Sequence, residues 1–245
     1  MYIILNKKKT ITTMMIFFVV LLLGGWGLLK LGHQPQAALS WQMADQTIVI
    51  DAGHGGIFPG KVSNDGLLEK DINLAIAQKL QALLTESGTI TVMTRESDKD
   101  LFPESEQDSK MILRQRADLK ARTDIAAASQ ADLFVSIHCN SIPTAKWSGA
   151  QTFYAPNSEQ SAQLAQAIQA SLISQLKNTD RAALVREDTF LFEHLDIPAV
   201  IVECGFLSNA EEAALLQQDA YQQKIAYAIY CGISDYLDQN TAPAQ

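Results

Sequence analysis

Hydrophobic positions along this chain follow two alternating rhythms. Short aliphatic runs, bounded by turn residues, cover 47–50, 89–94, 133–138, 149–154 and 199–203. They read as strands, and the most apolar of them as strands buried on both faces of a parallel sheet. Between them apolar residues recur at helical spacing. Ile72, Ile76, Leu80 and Leu83 or Leu84 follow a helix start at Glu69; Leu119 and Ile125 mark a helix over 111–129; Leu164, Ile168, Leu172 and Leu176 form one stripe over 158–176. Two further helices, 210–217 and 221–237, close the pattern, the second with Ile225, Ile229 and Ile233 in register. Residues 57–68 and 96–110 predict surface loops, and 181–195 an edge strand and a loop. Strands alternating with helices predict a single three-layer α/β domain, its sheet mostly parallel and helices on both faces.

The front of the chain departs from this rhythm. Thr10 to Leu29 carries no charge, and Lys7, Lys8 and Lys9 precede it. About 20 uncharged residues in a helix cross a hydrocarbon core of about 30 Å. The lysines therefore assign 1–9 to a cytoplasmic tail, 10–30 to a transmembrane signal-anchor and 31–45 to a linker outside the membrane. A cleaved signal peptide is the alternative, with Gly25-Trp26-Gly27 a weak processing site, and the protein is then secreted. Either way the domain at 46–238, followed by a tail at 239–245, is expected to be exported.

The length of 245 residues suits one domain with such an appendage. The formal net charge is −8, but residues 1–44 contribute four lysines and no acid, so the remainder carries 15 basic against 27 acidic residues. That balance argues against nucleic acid as a partner. Three cysteines make at most one disulfide. By strand alternation Cys139 and Cys204 point away from the residues just before them and read as small buried side chains; Cys231 reads as core.

Those preceding residues carry the chemistry. Ile48-Val49-Ile50-Asp51-Ala52-Gly53 runs into His54-Gly55-Gly56, a second strand ends at His138, and a third ends at Glu203. In open α/β sheets functional groups collect at the carboxyl ends of strands. Each residue has a plainer reading when taken alone. His54 fits a phosphate-cradling glycine turn or a structural histidine, and His138 a satisfied core histidine. Glu69 fits a first-turn carboxylate complementing the helix dipole. Glu203 is costly to bury unless paired, metal-bound or protonated, so a salt bridge is its alternative. Together they satisfy a catalytic zinc site, with three ligands from His and Asp/Glu, a fourth position open, and one carboxylate left over as general base.

The motifs Ile50-Asp51-Ala52-Gly53-His54-Gly55-Gly56, Leu68-Glu69-Lys70-Asp71, Ser136-Ile137-His138-Cys139-Asn140 and Glu203-Cys204-Gly205-Phe206-Leu207-Ser208-Asn209 resemble those of the zinc-dependent N-acetylmuramoyl-L-alanine amidases. The resemblance spans about 46–238. It implies a six-stranded sheet, Zn2+ held by His54, Glu69 and His138, Glu203 as the catalytic glutamate, and peptidoglycan as substrate. Met93-Thr94-Arg95, the stretch from Trp147 to Tyr154 and Asn178-Thr179-Asp180-Arg181 further resemble the germination-specific branch, which prepares muramic-δ-lactam in spore cortex. An accessory protein of unknown identity is left open as a partner that would control the site. Ala52, where proline is frequent, and Cys139 and Cys204 depart from the family pattern. The turn after His138 is short, without the blocking helix of division amidases, so the site is expected to be open. The alternatives are a zinc peptidase or deacetylase acting on wall material, or a catalytically silent wall-binding regulator.

Overall fold

The structure is a computed structural model and describes residues 43–240. The expected cytoplasmic tail, the signal-anchor at 10–30, nearly all of the linker and residues 241–245 lie outside the described residues. Among the described residues no helix is long and apolar enough to cross a membrane.

Six strands form one sheet: β1 (Thr47–Ala52), β2 (Ile90–Met93), β3 (Leu133–Asn140), β4 (Gln151–Tyr154), β5 (Leu184–Val185) and β6 (Ala199–Phe206), in the order β2-β1-β3-β6-β4-β5. All neighbouring pairs run parallel except β4 and β6. The helices are α1 (Glu69–Glu86), α2 (Met111–Ala128), α3 (Glu159–Leu176), the single turn α4 (Phe190–Glu193), α5 (Ala210–Leu216) and α6 (Asp219–Asn240). The six-stranded, mostly parallel α/β sheet is thus as expected.

Alternation along the strands sorts the core. Ile48, Ile50, Val135, Ile137, Val200 and Val202 point to one face, where Ile76 and Leu80 of α1, Leu164 and Ile168 of α3, and Ile225 and Ile229 of α6 pack on them. Burying each such side chain stabilises the fold by about 1.5–3 kcal/mol. The α3–α6 crossing is close: a Cβ at Gly232 would collide with the backbone of Ile168, so only glycine admits it. Cys139 and Cys204 lie buried in this same cluster as free thiols, on the side away from their neighbours His138 and Glu203.

The opposite face has a much smaller cluster, Val49, Phe134 and Ala199 under Ala126 of α2 and Leu191 of α4. Here α2 departs from the apolar pattern. Leu119 and Ile125 are only half-buried, Met111, Ile112 and Leu113 are exposed, and the buried side chains of α2 are Asp118, Arg122, Thr123 and Ala126. A helix whose inner face is charged has no apolar stripe to read. The turn α4 falls within 181–195, where only an edge strand and a loop were expected. Helix α6 begins at Asp219 and ends at Asn240, two residues earlier and three later than expected, and so takes up the start of the expected tail.

Candidate active site

The second face leads to the site. On β1, β3 and β6 the residues that alternate with the large core are Asp51, then Ser136 and His138, then Ile201 and Glu203. Asp51 pairs with Ser136, and His138 with Glu203, directly across adjacent strands. Neighbouring strands lie about 4.8 Å apart, so the imidazole and the carboxylate stand side by side on that face.

His54 arrives from the turn after β1. Its own φ is 63°, and Gly55 and Gly56 continue the turn with φ of 136° and 54°. Gly53 is needed for a different reason, since a Cβ there would overlap the His138 ring. The two imidazoles meet edge to face, with centroids 4.9 Å apart.

Glu69 completes the group from the first turn of α1, where a carboxylate also complements the helix dipole. Its Oε1 lies 3.2 Å from His54 Nε2 and 2.9 Å from His138 Nδ1. The same oxygen accepts from the Cys139 amide at 3.1 Å and from Asn73 Nδ2 at 3.4 Å, while Oε2 accepts from the Lys61 amide at 2.8 Å. Burial alone would raise the Glu69 pKa, but the hydrogen bonds and charges of His138 and His54 outweigh it and hold the carboxyl well below its usual range. Burial pulls the His138 pKa down, and Glu69 more than compensates, so His138 moves up.

The structure therefore brings together the three residues expected to bind metal. One ligand atom from each of His54, Glu69 and His138 lies within 4.8 Å of the others. Two imidazole nitrogens and one ionised carboxylate converging on a point are the donor set that a zinc ion takes with one position left open. Metal fits these residues.

Glu203, 7% exposed, sits beside them. Arg186 Nη1 donates to its Oε1 at 3.0 Å, and its Oε2 is buried with no partner among the described residues. A buried carboxylate with only one oxygen satisfied thus stands next to a metal-type donor set.

Other residues of the site went unassigned on sequence grounds. Asp51 accepts from Ser136 Oγ at 2.6 Å and from Thr94 Oγ1 at 2.8 Å, and it pairs with Arg122. Arg122 also pairs with Asp118, and its Nη1 and Nη2 donate to the carbonyls of Ala52 and His54. Arg95, 1% exposed, donates to the carbonyls of Ala52, Gly53 and Lys70. Asn73 reaches the Gly53 carbonyl as well. The one available signal was Asp51 at the end of an apolar strand, since a buried carboxylate needs a buried cation somewhere in the chain.

Fold and site together define a hydrolase with an α/β fold whose His-Glu-His donor set, which fits a metal ion, gathers toward the carboxyl ends of the central strands. The chain belongs to the N-acetylmuramoyl-L-alanine amidase family, whose pattern matches residues 48–235. Its activity is that of this family, cleavage of the N-acetylmuramoyl–L-alanine amide. The chain is 40% identical over 207 residues to the germination-specific N-acetylmuramoyl-L-alanine amidase of Bacillus subtilis (strain 168), covering 84% of this chain and 86% of that one. Among solved structures it resembles the CwlD amidase from Clostridioides difficile, determined in complex with the GerS lipoprotein, at 43% identity and a TM-score of 0.77, covering 80% of this chain and all of that one. An N-acetylmuramoyl-L-alanine amidase from Clostridium difficile 630 follows at 32% identity and a TM-score of 0.70, covering 81% and 99%.

Proposed function

We propose that this amidase is zinc-dependent and acts on spore-cortex peptidoglycan, with His54, Glu69 and His138 as metal ligands and Glu203 as the catalytic glutamate. The convergence of the three ligand atoms carries the reading. When bound there, zinc supplies Lewis acidity, polarising the amide carbonyl and lowering the pKa of water toward about 7. Glu203 takes the proton of the attacking water on its unpartnered Oε2. A C–O bond forms at the lactyl carbonyl, the C–N bond breaks, and Glu203 returns the proton to the departing L-alanine nitrogen. Arg186, on Oε1, keeps the carboxylate turned so that Oε2 faces the reacting atoms.

The spore role is supported by the germination-specific relative. The related CwlD amidase was solved with a lipoprotein, and a lipoprotein is accordingly the class of accessory partner proposed for this chain. The catalytic domain, 46–238, is placed outside the cytoplasmic membrane, held by residues 10–30 as a signal-anchor or released if that segment is cleaved. The apolar, uncharged run behind three lysines supports this placement.

Mass spectrometry of digested muropeptides tests the reading. Stem peptides with a free L-alanine amino terminus are expected, abolished by a chelator and restored by zinc. Cleavage inside the stem would indicate a peptidase, and loss of acetyl alone a deacetylase. No product with zinc present would leave a silent wall-binding regulator.

A further inference from the structure

Arg186 is poised between the proposed catalytic carboxylate and open space. Its guanidinium carbon lies over the Phe153 ring, 4.0 Å from the centroid. Its Nη1 is on Glu203, its side chain is 33% exposed, and its Nε and Nη2 have no partner among the described residues. Phe153 pairs with Ile201 and Gln151 with Glu203, so the face that carries Glu203 continues across β4 to Arg186. There it opens into a depression of 380 Å³ bounded by Pro156, Asn157 and the segment after β5.

We infer that this end of the groove is a subsite for the stem peptide, and that Arg186 determines specificity there by binding the free carboxylate of the residue after L-alanine. The inference rests on the amidase reading, since it orients the stem away from the bond cleaved at Glu203. A guanidinium with one donor committed keeps a planar pair of donors for a carboxylate, the geometry at which arginine excels. The cation–ring contact with Phe153 holds the guanidinium in place before the ligand arrives. The rest of the lining includes Glu187, Asp188 and Glu193, so Arg186 is the single cation among the lining residues and an anion settles on it rather than deeper. Peptidoglycan offers that group in a variable form, because the second stem residue is a γ-linked glutamate whose α-carboxyl is either free or amidated.

The test is calorimetric titration of the zinc-loaded full-length protein with two tripeptides. One is L-alanyl-γ-D-glutamyl-diamino acid, and the other is the same peptide with the glutamyl carboxyl as primary amide. The wild type is expected to bind the carboxylate form about tenfold tighter, the effect of one charge-assisted hydrogen bond shared with solvent. Arg186→Gln should bring the ratio close to one, and Arg186→Lys should keep part of it. Equal binding by the wild type, or a ratio that survives in Arg186→Gln, overturns the assignment. If that variant does not fold, the wild-type ratio decides, since it must shrink as salt is raised and a salt-independent ratio overturns it too. Peptide release from intact muramoyl-tripeptide keeps the two readings apart. Cleavage without discrimination removes the subsite alone, whereas discrimination without cleavage removes the amidase reading and leaves a carboxylate-binding groove.

Discussion

On the β1 side of the site, the backbone that carries His54 is tied down from three directions. Arg122 and Arg95 hold the carbonyls of residues 52–54, and Asn73 bridges Gly53 to Glu69. Arg122 is itself neutralised by Asp51 and Asp118. On the β6 side, the Glu203 carboxylate has one partner among the described residues, Arg186, which is a third exposed, and one oxygen with none among them. The two sides meet across a single strand pair, His138 opposite Glu203. The difference matches the tasks proposed for them. Ligands that share one ion must be held to within fractions of an ångström, which rigid surroundings achieve. A carboxylate that accepts a proton from one atom and delivers it to another needs an oxygen free to do so.

The largest expected effect falls on the open side. Glu203→Gln keeps the volume and the Arg186 contact but cannot take a proton, so turnover should drop by about 10²–10⁴-fold. Zinc content by elemental analysis and the circular dichroism spectrum should not change. Full activity in this variant would remove Glu203 from the chemistry and make Arg186–Glu203 a structural pair.

The two sides were also unequally legible in the sequence. His54, His138 and Glu203 each follow an apolar run, where any polar residue stands out; His54 lies in the turn after β1, while β3 and β6 continue past His138 and Glu203 to Asn140 and Phe206 instead of ending there. The stripes Leu164–Leu176 and Ile225–Ile233 are buried as their spacing predicts. Arg122 was hidden because it is buried within a helix that reads as polar, and its partner Asp51 is 71 residues away. Arg186 was hidden because β5 spans only Leu184–Val185, both exposed, which is too short to show an alternation. Charge clamps and edge-strand residues depend on pairings across the fold that local periodicity does not encode.

Next in size is the closed side. Arg122→Met removes the cation from two buried carboxylates and donors from the carbonyls of Ala52 and His54. Breaking a buried pair by deleting one partner costs about 3–5 kcal/mol. The midpoint of urea unfolding should fall accordingly, and zinc should bind less tightly because the His54 turn is released. A variant as stable as the wild type would show that Asp51 and Asp118 find other partners and that the clamp is not what holds the turn.

The pH dependence of the same clamp is smaller and has a definite sign. Burial would raise the Asp51 pKa, but Arg122 beside it, with the Ser136 and Thr94 hydroxyls, lowers it below its ordinary 3.8. A carboxyl lowered on folding contributes stability that is present above its unfolded pKa and lost as pH falls through the folded one. The stability difference between the wild type and Asp51→Asn should therefore be level from neutral pH down to about pH 5 and shrink below that, mostly under 3.8. A difference that grows on acidification would contradict the pairing with Arg122.

The smallest expected effect returns to the open side. Phe153→Leu keeps an apolar side chain at the same place in β4 but removes the ring face beneath Arg186. A cation over an aromatic face at a partly exposed site contributes about 0.5–1 kcal/mol, so unfolding should shift by no more than that. Zinc content should be unaffected, because none of the bonds that hold Glu69, His54 or His138 passes through β4. If that contact is what holds the guanidinium in place, the variant should lose about two- to fivefold of the preference for a free over an amidated second-residue carboxyl, with turnover on the amidated substrate nearly intact. A fall in turnover on both substrates with the preference unchanged would instead mean that Phe153 and Arg186 act together on Glu203. The open side would then be organised around its carboxylate as firmly as the closed side is around its histidines.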